Sequence, residues 1–155
     1  VPEGSSYGVE FVKALKAAAE AEGRPFPEPT PEMLCQWGGE VFVFPNLLIL
    51  PNTGNAMIYR VRPYGLNPDA CIFEIFSTTG YPAGAKIPRA TVQKVTDPSD
   101  PNQLLLIPRQ DFANVPRVQK GLHSVACNKV WLAEEQEKII LNMHKEVDRY
   151  LQAAD

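Results

Sequence analysis

Between Val41 and Ser77 short apolar runs alternate with turn-forming clusters, an order that fits an antiparallel meander better than any helical arrangement. Val41-Phe42-Val43-Phe44 and Leu47-Leu48-Ile49-Leu50 lead into Pro51-Asn52-Thr53-Gly54-Asn55, and Ala56 to Pro63 follows. Two apolar runs around a short glycine-containing turn make a hairpin. Tyr64-Gly65-Leu66-Asn67-Pro68-Asp69 reads as a second turn, and Ala70 to Ser77 as a further strand. Within Met57 to Arg62 the two-residue period puts Arg60 and Arg62 on one face and Tyr59 and Val61 on the other. One face of the sheet is therefore expected to be wet and the other covered.

Helical periodicity brackets this sheet. From Val9 to about Glu22, Phe11, Leu15, Ala18 and Ala19 recur at helical spacing among lysines and glutamates, and Gly23 is placed to end the helix. Arg24 to Pro31 carries four prolines, which remove donors and hold the chain extended, so it reads as a linker or surface strap. Beyond Thr79-Gly80-Tyr81-Pro82 the pattern is irregular, with a short apolar stretch at Thr91 to Val95 and a Pro/Asp-rich loop at Asp97 to Pro101. From about Ala133 to Ala153 a long helix is expected, with Ile139, Ile140, Met143, Val147, Tyr150 and Leu151 as one apolar stripe and acidic residues in its first turn. Such a stripe needs a sheet to lie on, and the meander supplies one. The fold class read from these patterns is α+β, an antiparallel sheet with a helix across one face.

The 155 residues, 45% of them hydrophobic, are enough for one core, and one domain is expected. A net charge of −3 offers no basic stripe, which excludes nucleic acid and anionic membrane as natural partners. No apolar run is long enough to span a bilayer and no leader pattern opens the chain, so the protein reads as soluble. Cys35, Cys71 and Cys127 are distant and odd in number, which fits buried structural thiols in a reducing cytoplasm rather than a disulfide framework. The loop-like start at Val1 leads us to expect a piece of a longer polypeptide.

Chemistry concentrates late in the chain. Arg109-Gln110-Asp111-Phe112-Ala113-Asn114 is followed by Val118-Gln119-Lys120-Gly121-Leu122-His123-Ser124, and earlier stand Phe44-Pro45-Asn46 and Arg62-Pro63, with Glu137 and His144 on the final helix. In order and approximate spacing these segments resemble the C-terminal part of the catalytic domain of Rieske-type aromatic-ring-hydroxylating oxygenases, large (alpha) subunit. The resemblance covers about Val41 to Leu151. It implies a helix-grip, START-like fold, in which a curved antiparallel sheet wraps a long C-terminal helix around an apolar pocket. It divides the chain into an N-terminal helix and strap (1–38), a sheet with the iron-ligand loop (39–132) and the C-terminal helix (133–153).

The same resemblance implies that Asp111 is the carboxylate ligand of a mononuclear iron(II), with Asn114 beside the site. Iron(II) that activates dioxygen is commonly held by two histidines and one carboxylate on one face of an octahedron. The histidine pair and the cysteine-histidine set for a [2Fe-2S] cluster do not occur in this chain and are expected N-terminal to Val1. Implied partners are O2, an apolar or aromatic substrate, a reductase or ferredoxin electron donor, and copies of the chain in a homo-oligomer, a trimer in the family. Phe42, Phe44, Leu48, Leu104, Leu106 and Phe112 are core residues by default, and some of them would face the pocket. Asp111 also admits a plainer reading, as a solvated acid or a helix N-cap, and Asn114 as an ordinary turn residue. A local Asp111, His123 and His144 triad is disfavoured, because no helical spacing links the histidines. The rival function is a non-catalytic helix-grip module that binds an apolar small molecule.

Overall fold

The computed structural model describes residues 1–30, 32 and 39–153, so Cys35 lies outside the described residues. Helix α1 spans Tyr7–Ala21. Ser6 caps it, its Oγ accepting from the Val9 N–H at 3.3 Å, while Glu10 in the first turn meets Lys13 at 2.9 Å. The expected glycine stop is a Schellman motif: Gly23 takes φ +63°, its N–H donates to the Glu20 carbonyl, and the Arg24 N–H donates to that of Ala19. The proline-rich strap then turns back on the helix through an ion pair between Lys16 and Glu28.

The meander forms as its punctuation predicts. Strands β1 (Val41–Val43), β2 (Leu47–Asn52), β3 (Asn55–Tyr64) and β4 (Asn67–Thr79) make one antiparallel sheet in sequential order. Gly54 and Gly65 take φ +77° and +61° in the two hairpin turns, a backbone region that other residues enter at a cost. β4 is longer than its apolar run, because Asn67 and Thr79 still find partners at Tyr64 and Asn55. Between β1 and β2, Phe44-Pro45-Asn46 makes the bend, with a cis peptide before Pro45. Asn46 extends the β2–β3 pairing by one residue: its Nδ2 donates to the Val61 carbonyl at 2.9 Å and its carbonyl accepts from the Val61 N–H at 3.1 Å.

The two faces of the β3–β4 hairpin separate by chemistry. On one, Glu74 lies opposite Arg60 and accepts from Arg60 Nε at 2.7 Å and Arg62 Nε at 2.8 Å, while the Arg60 guanidinium covers the Phe76 ring at 5.1 Å. On the other, Tyr59 and Phe73 meet edge to face at 5.2 Å. These two guanidinium bonds, Arg60's first, hold the Glu74 carboxyl down at about 2.

Where one unit is expected from length, the chain divides into two: Val1–Ile87 together with the chain from Ile139 onward, and Pro88–Lys138. In the second, side chains wire a loop to itself. Asp97 accepts from the Ser99 N–H and Oγ, Asp100 from the Asn102 N–H and Gln103 Nε2, and Gln103 Oε1 from the Thr96 N–H. These bonds, Ser99's for Asp97 and Asn102's for Asp100, hold both carboxyls below their ordinary range. Helix α2 (Leu106–Leu122) follows and contains Pro116; its N-cap Leu105 makes no side-chain capping bond. The irregular stretch from Thr91 to Val95 forms no strand.

Three expectations are corrected. The C-terminal helix, α3, runs Lys138–Gln152 rather than from Ala133, so the acidic run Glu134 to Glu137 precedes its first turn. Glu137 instead accepts from the Ala133 N–H at 2.5 Å, closing a turn ahead of the helix. Cys71 and Cys127 are exposed, not buried, because Cys71 stands on the sheet-edge strand β4 and Cys127 in the irregular stretch after α2. The α3 stripe meets the sheet region through Tyr150, stacked on Phe44 with centroids 5.1 Å apart, and Ile139, Ile140, Leu141, Val147 and Leu151 are exposed.

Two outcomes follow from the hairpin. Glu74→Gln lowers the thermal midpoint at neutral pH. Because folding depresses the Glu74 pKa from 4.5 to about 2, its contribution is complete above 4.5 and disappears as pH falls through about 2. The gap between wild type and variant in an acid series of melts should therefore close across that window, and a gap unchanged at pH 2 contradicts the assignment. At Gly54 an added Cβ would lie 3.2 Å from the Pro25 carbonyl oxygen at φ +77°, so Gly54→Ala should cost about 1–2 kcal/mol in urea denaturation.

Candidate functional site

Asp111 stands in the second turn of α2, six residues after the N-cap Leu105. The segment expected as an iron-ligand loop is therefore helical, and the N-cap alternative for Asp111 is set aside. Arg109, Gln110, Ala113, Gln119 and Lys120 favour a helix on both sides of it, and Pro116 is tolerated at the cost of one backbone bond. Helical geometry then separates two sides of α2. Pro108 is buried and Phe112 and Gln119 are half-buried, at i, i+4 and i+11, while Asp111, Asn114 and Val118, at i, i+3 and i+7, share an exposed side.

The Asp111 carboxylate makes no hydrogen bond or ion pair with any described residue. An acid in mid-helix costs up to about 0.7 kcal/mol against alanine, and nothing on the helix offsets it. Asn114 follows one turn later on the same side, equally exposed. Arg109 differs: its Nε is shielded from solvent without a hydrogen-bond partner among the described residues, and its charge contributes to holding the Asp100 carboxyl down.

No group of three histidine, cysteine, aspartate or glutamate side chains with metal-binding geometry occurs among the described residues. Asp111, His123 and His144 accordingly form no local metal centre; His123 ends α2 as its C-cap and His144 is exposed on α3. Of the pocket candidates, Phe42, Phe44 and Leu48 are half-buried in the sheet unit, and Leu104 and Phe112 half-buried in the α2 unit, where Leu106 is exposed.

A groove of about 600 Å³ opens elsewhere in the sheet unit, between the end of α1 and the Thr79 end of β4. Its lining is mixed, with Glu22, Arg24, Asn55, Thr78 and Thr79 beside Ala56, Met57 and Pro82, and none of the six candidates contributes to it. Arg24 spans it, its Nε donating to Glu22 at 2.6 Å and its Nη1 to Thr79 Oγ1 at 3.3 Å. The sequence signal for this groove is faint, because its parts are three separate chain segments brought together by the β3–β4 ladder and by the strap's return over Gly54.

The segments that single out this chain thus have structural roles: Asn46 extends the β2–β3 pairing, Arg62 grips Glu74, and Gly121 sits in the last turn of α2, where its carbonyl accepts from the Ser124 N–H at 3.0 Å. Asp111 has no such role among the described residues. The sequence matches the family described as ring hydroxylating alpha subunit (catalytic domain) over residues 10–153. The chain belongs to that family. No curated protein and no solved structure matches it. Membership bears out the α+β reading: the four-stranded antiparallel sheet and the helices are consistent with a piece of a helix-grip catalytic domain. The family is one of oxygenase alpha subunits that work with non-heme iron, and no described helix is long and apolar enough to cross a membrane.

If Asp111 serves a ligand rather than the helix, its removal should leave folding intact. Asp111→Ala is expected to unfold in urea at the same midpoint as wild type or slightly above it, by at most about 0.7 kcal/mol. A loss above about 1 kcal/mol would give Asp111 a structural role instead.

Proposed function

We propose that this chain is part of the catalytic domain of a Rieske-type non-heme iron oxygenase, which hydroxylates an aromatic or other apolar substrate with O2, and that Asp111 is its carboxylate iron ligand. The observation that carries this reading is the Asp111 carboxylate itself, exposed on α2 and without a partner among the described residues, inside the stretch that matches the family. A hard carboxylate oxygen suits iron(II), and the donor set here supplies one ligand of the three that a facial triad needs. When bound, iron(II) supplies the redox chemistry that oxygen activation requires.

The rest concerns what this chain does. α2 fixes Asp111 on a regular helix rather than a loop, which limits the carboxylate to a few rotamers. Asn114, one turn on, offers an amide that orients the carboxylate or a neighbouring water. Phe42, Phe44 and Leu48 in the sheet unit, and Leu104, Leu106 and Phe112 in the α2 unit, are the apolar candidates for contact with the substrate. The two histidine ligands, the [2Fe-2S] cluster and the docking site for a reductase or ferredoxin lie, in this reading, in chain outside the present sequence. The assembly is a cytoplasmic homo-oligomer. The rival reading is a binder of apolar molecules, for which the groove described above is a mixed site, its walls combining hydroxyls, an amide and an ion pair with Ala56, Met57 and Pro82.

The test is Asp111→Ala in the complete gene product. Iron should fall from about three to about two per chain, with the cluster's visible spectrum kept and hydroxylation lost. Unchanged iron content and turnover would falsify the assignment.

A further inference from the structure

We propose that Arg109 is a positioning residue for Asp111: from the far side of α2 its guanidinium ties the start of the helix to the Asp97–Gln103 loop, and so sets where the carboxylate stands. This inference rests on the reading of Asp111 as an iron ligand. Two residues along an α-helix are about 200° apart, so Arg109 and Asp111 leave nearly opposite sides of α2. Asp111 is exposed, whereas Arg109 is half-buried next to the buried Pro108, and its Nε is closed off from solvent. One side chain thus faces into the unit and the other away from it.

The helix start has little else to fix it. Leu105 makes no side-chain capping bond and no acid stands in the first turn, so the two usual aids at a helix N-terminus are missing. The loop before it is the opposite case. Asp100 accepts from the Asn102 N–H at 2.8 Å and from Gln103 Nε2 at 3.1 Å, and its carbonyl accepts from the Gln103 and Leu104 N–H groups, both at 3.1 Å. Leu105 continues the connection, its carbonyl accepting from the Arg109 N–H at 3.2 Å. The Arg109 charge also reaches back to Asp100: after the Asn102 and Gln103 bonds, it is a further cause that holds that carboxyl below its ordinary range. No hydrogen bond joins the two side chains, so the tie is Coulombic and acts over a longer reach. A helix is stiff over two residues. A shift of its first turn therefore moves Asp111 by a similar amount, and ligands of a metal must be held to about 0.5 Å.

An apolar replacement separates positioning from packing. Arg109→Met keeps the reach of the side chain but removes its charge, together with a shielded donor that has no partner among the described residues. If Arg109 only filled space, this variant would melt at or above the wild-type midpoint and bind iron equally well. If it positions Asp111, iron(II) titrated into the complete gene product with its cluster loaded should bind the mononuclear site roughly ten-fold more weakly. Arg109→Lys, which keeps the charge, should recover most of that loss. Asp100→Asn should weaken binding on its own but add nothing to Arg109→Met. Unchanged affinity in Arg109→Met, or equal losses in the Met and Lys variants, overturns the inference. Where Arg109→Met does not fold, Asp100→Asn decides, and unchanged affinity there overturns it too. Asp111→Ala keeps the two readings apart. If that variant still binds mononuclear iron, the ligand assignment itself fails; if it does not, while Arg109→Met binds as wild type, only the positioning role fails.

Discussion

Everything described in the sheet unit hangs on the β3–β4 ladder, and that ladder is held in register from both faces at once. Glu74 between Arg60 and Arg62 fixes one side, and the edge-to-face meeting of Tyr59 and Phe73 fixes the other. A partly exposed ion pair contributes at most about 1 kcal/mol, and an aromatic pair a similar amount beyond its area. Their value is in the combination, because a one-residue slip would carry Glu74 to the aromatic face and Phe73 to the charged one. β2 pairs on this ladder, Asn46 latches to it at Val61, and the strap and Gly80 close over Gly54 at its turn. The loss of any one outlying contact leaves the register in place.

α2 obeys a different logic. Its loop is locked from within by Asp97, Asp100 and Gln103, and its helix turns Pro108, Phe112 and Gln119 toward cover. Asp111 takes no part in either arrangement. A local choice that disagrees with helix propensity, with no contact to offset it, is where a functional residue is expected. That the proposed site sits in a helix also matters for geometry, since a regular backbone places Asp111 and Asn114 on one side by periodicity alone.

The sheet was legible because alternation and glycine turns are local signals, and the four strands occur where Val41 to Ser77 placed them. Strand ends were less so: Asn67 is a poor strand former that pairs only because a partner strand extends that far. The start of α3 was misplaced because Glu134 to Glu137 look like a first turn by charge, yet Glu137 bends back to the Ala133 N–H. Exposure of Cys71 could not be read from its apolar neighbours, since it depends on β4 being an edge. Asp111 was legible only through family resemblance; its spacing within the chain does not distinguish a ligand from a surface acid, and it does not announce the helix around it.

Burial ranks what remains. Ala19, Thr53 and Pro108 are the buried residues among those described, and no large side chain is fully enclosed. Covering an exposed Ile, Leu or Val is worth about 1.5–3 kcal/mol, more than any single polar contact in the two units. The stripe of Ile139, Ile140, Leu141, Val147 and Leu151 is therefore the largest source of stability still unused, and Tyr150 on Phe44 is the point from which its burial would propagate. For the site this has a direct consequence. A ligand that binds only the folded arrangement adds its binding free energy to folding. Under the proposed iron ligation, a carboxylate carried by a unit with so small a core would couple metal affinity to helix stability more tightly than the same carboxylate in a deep core.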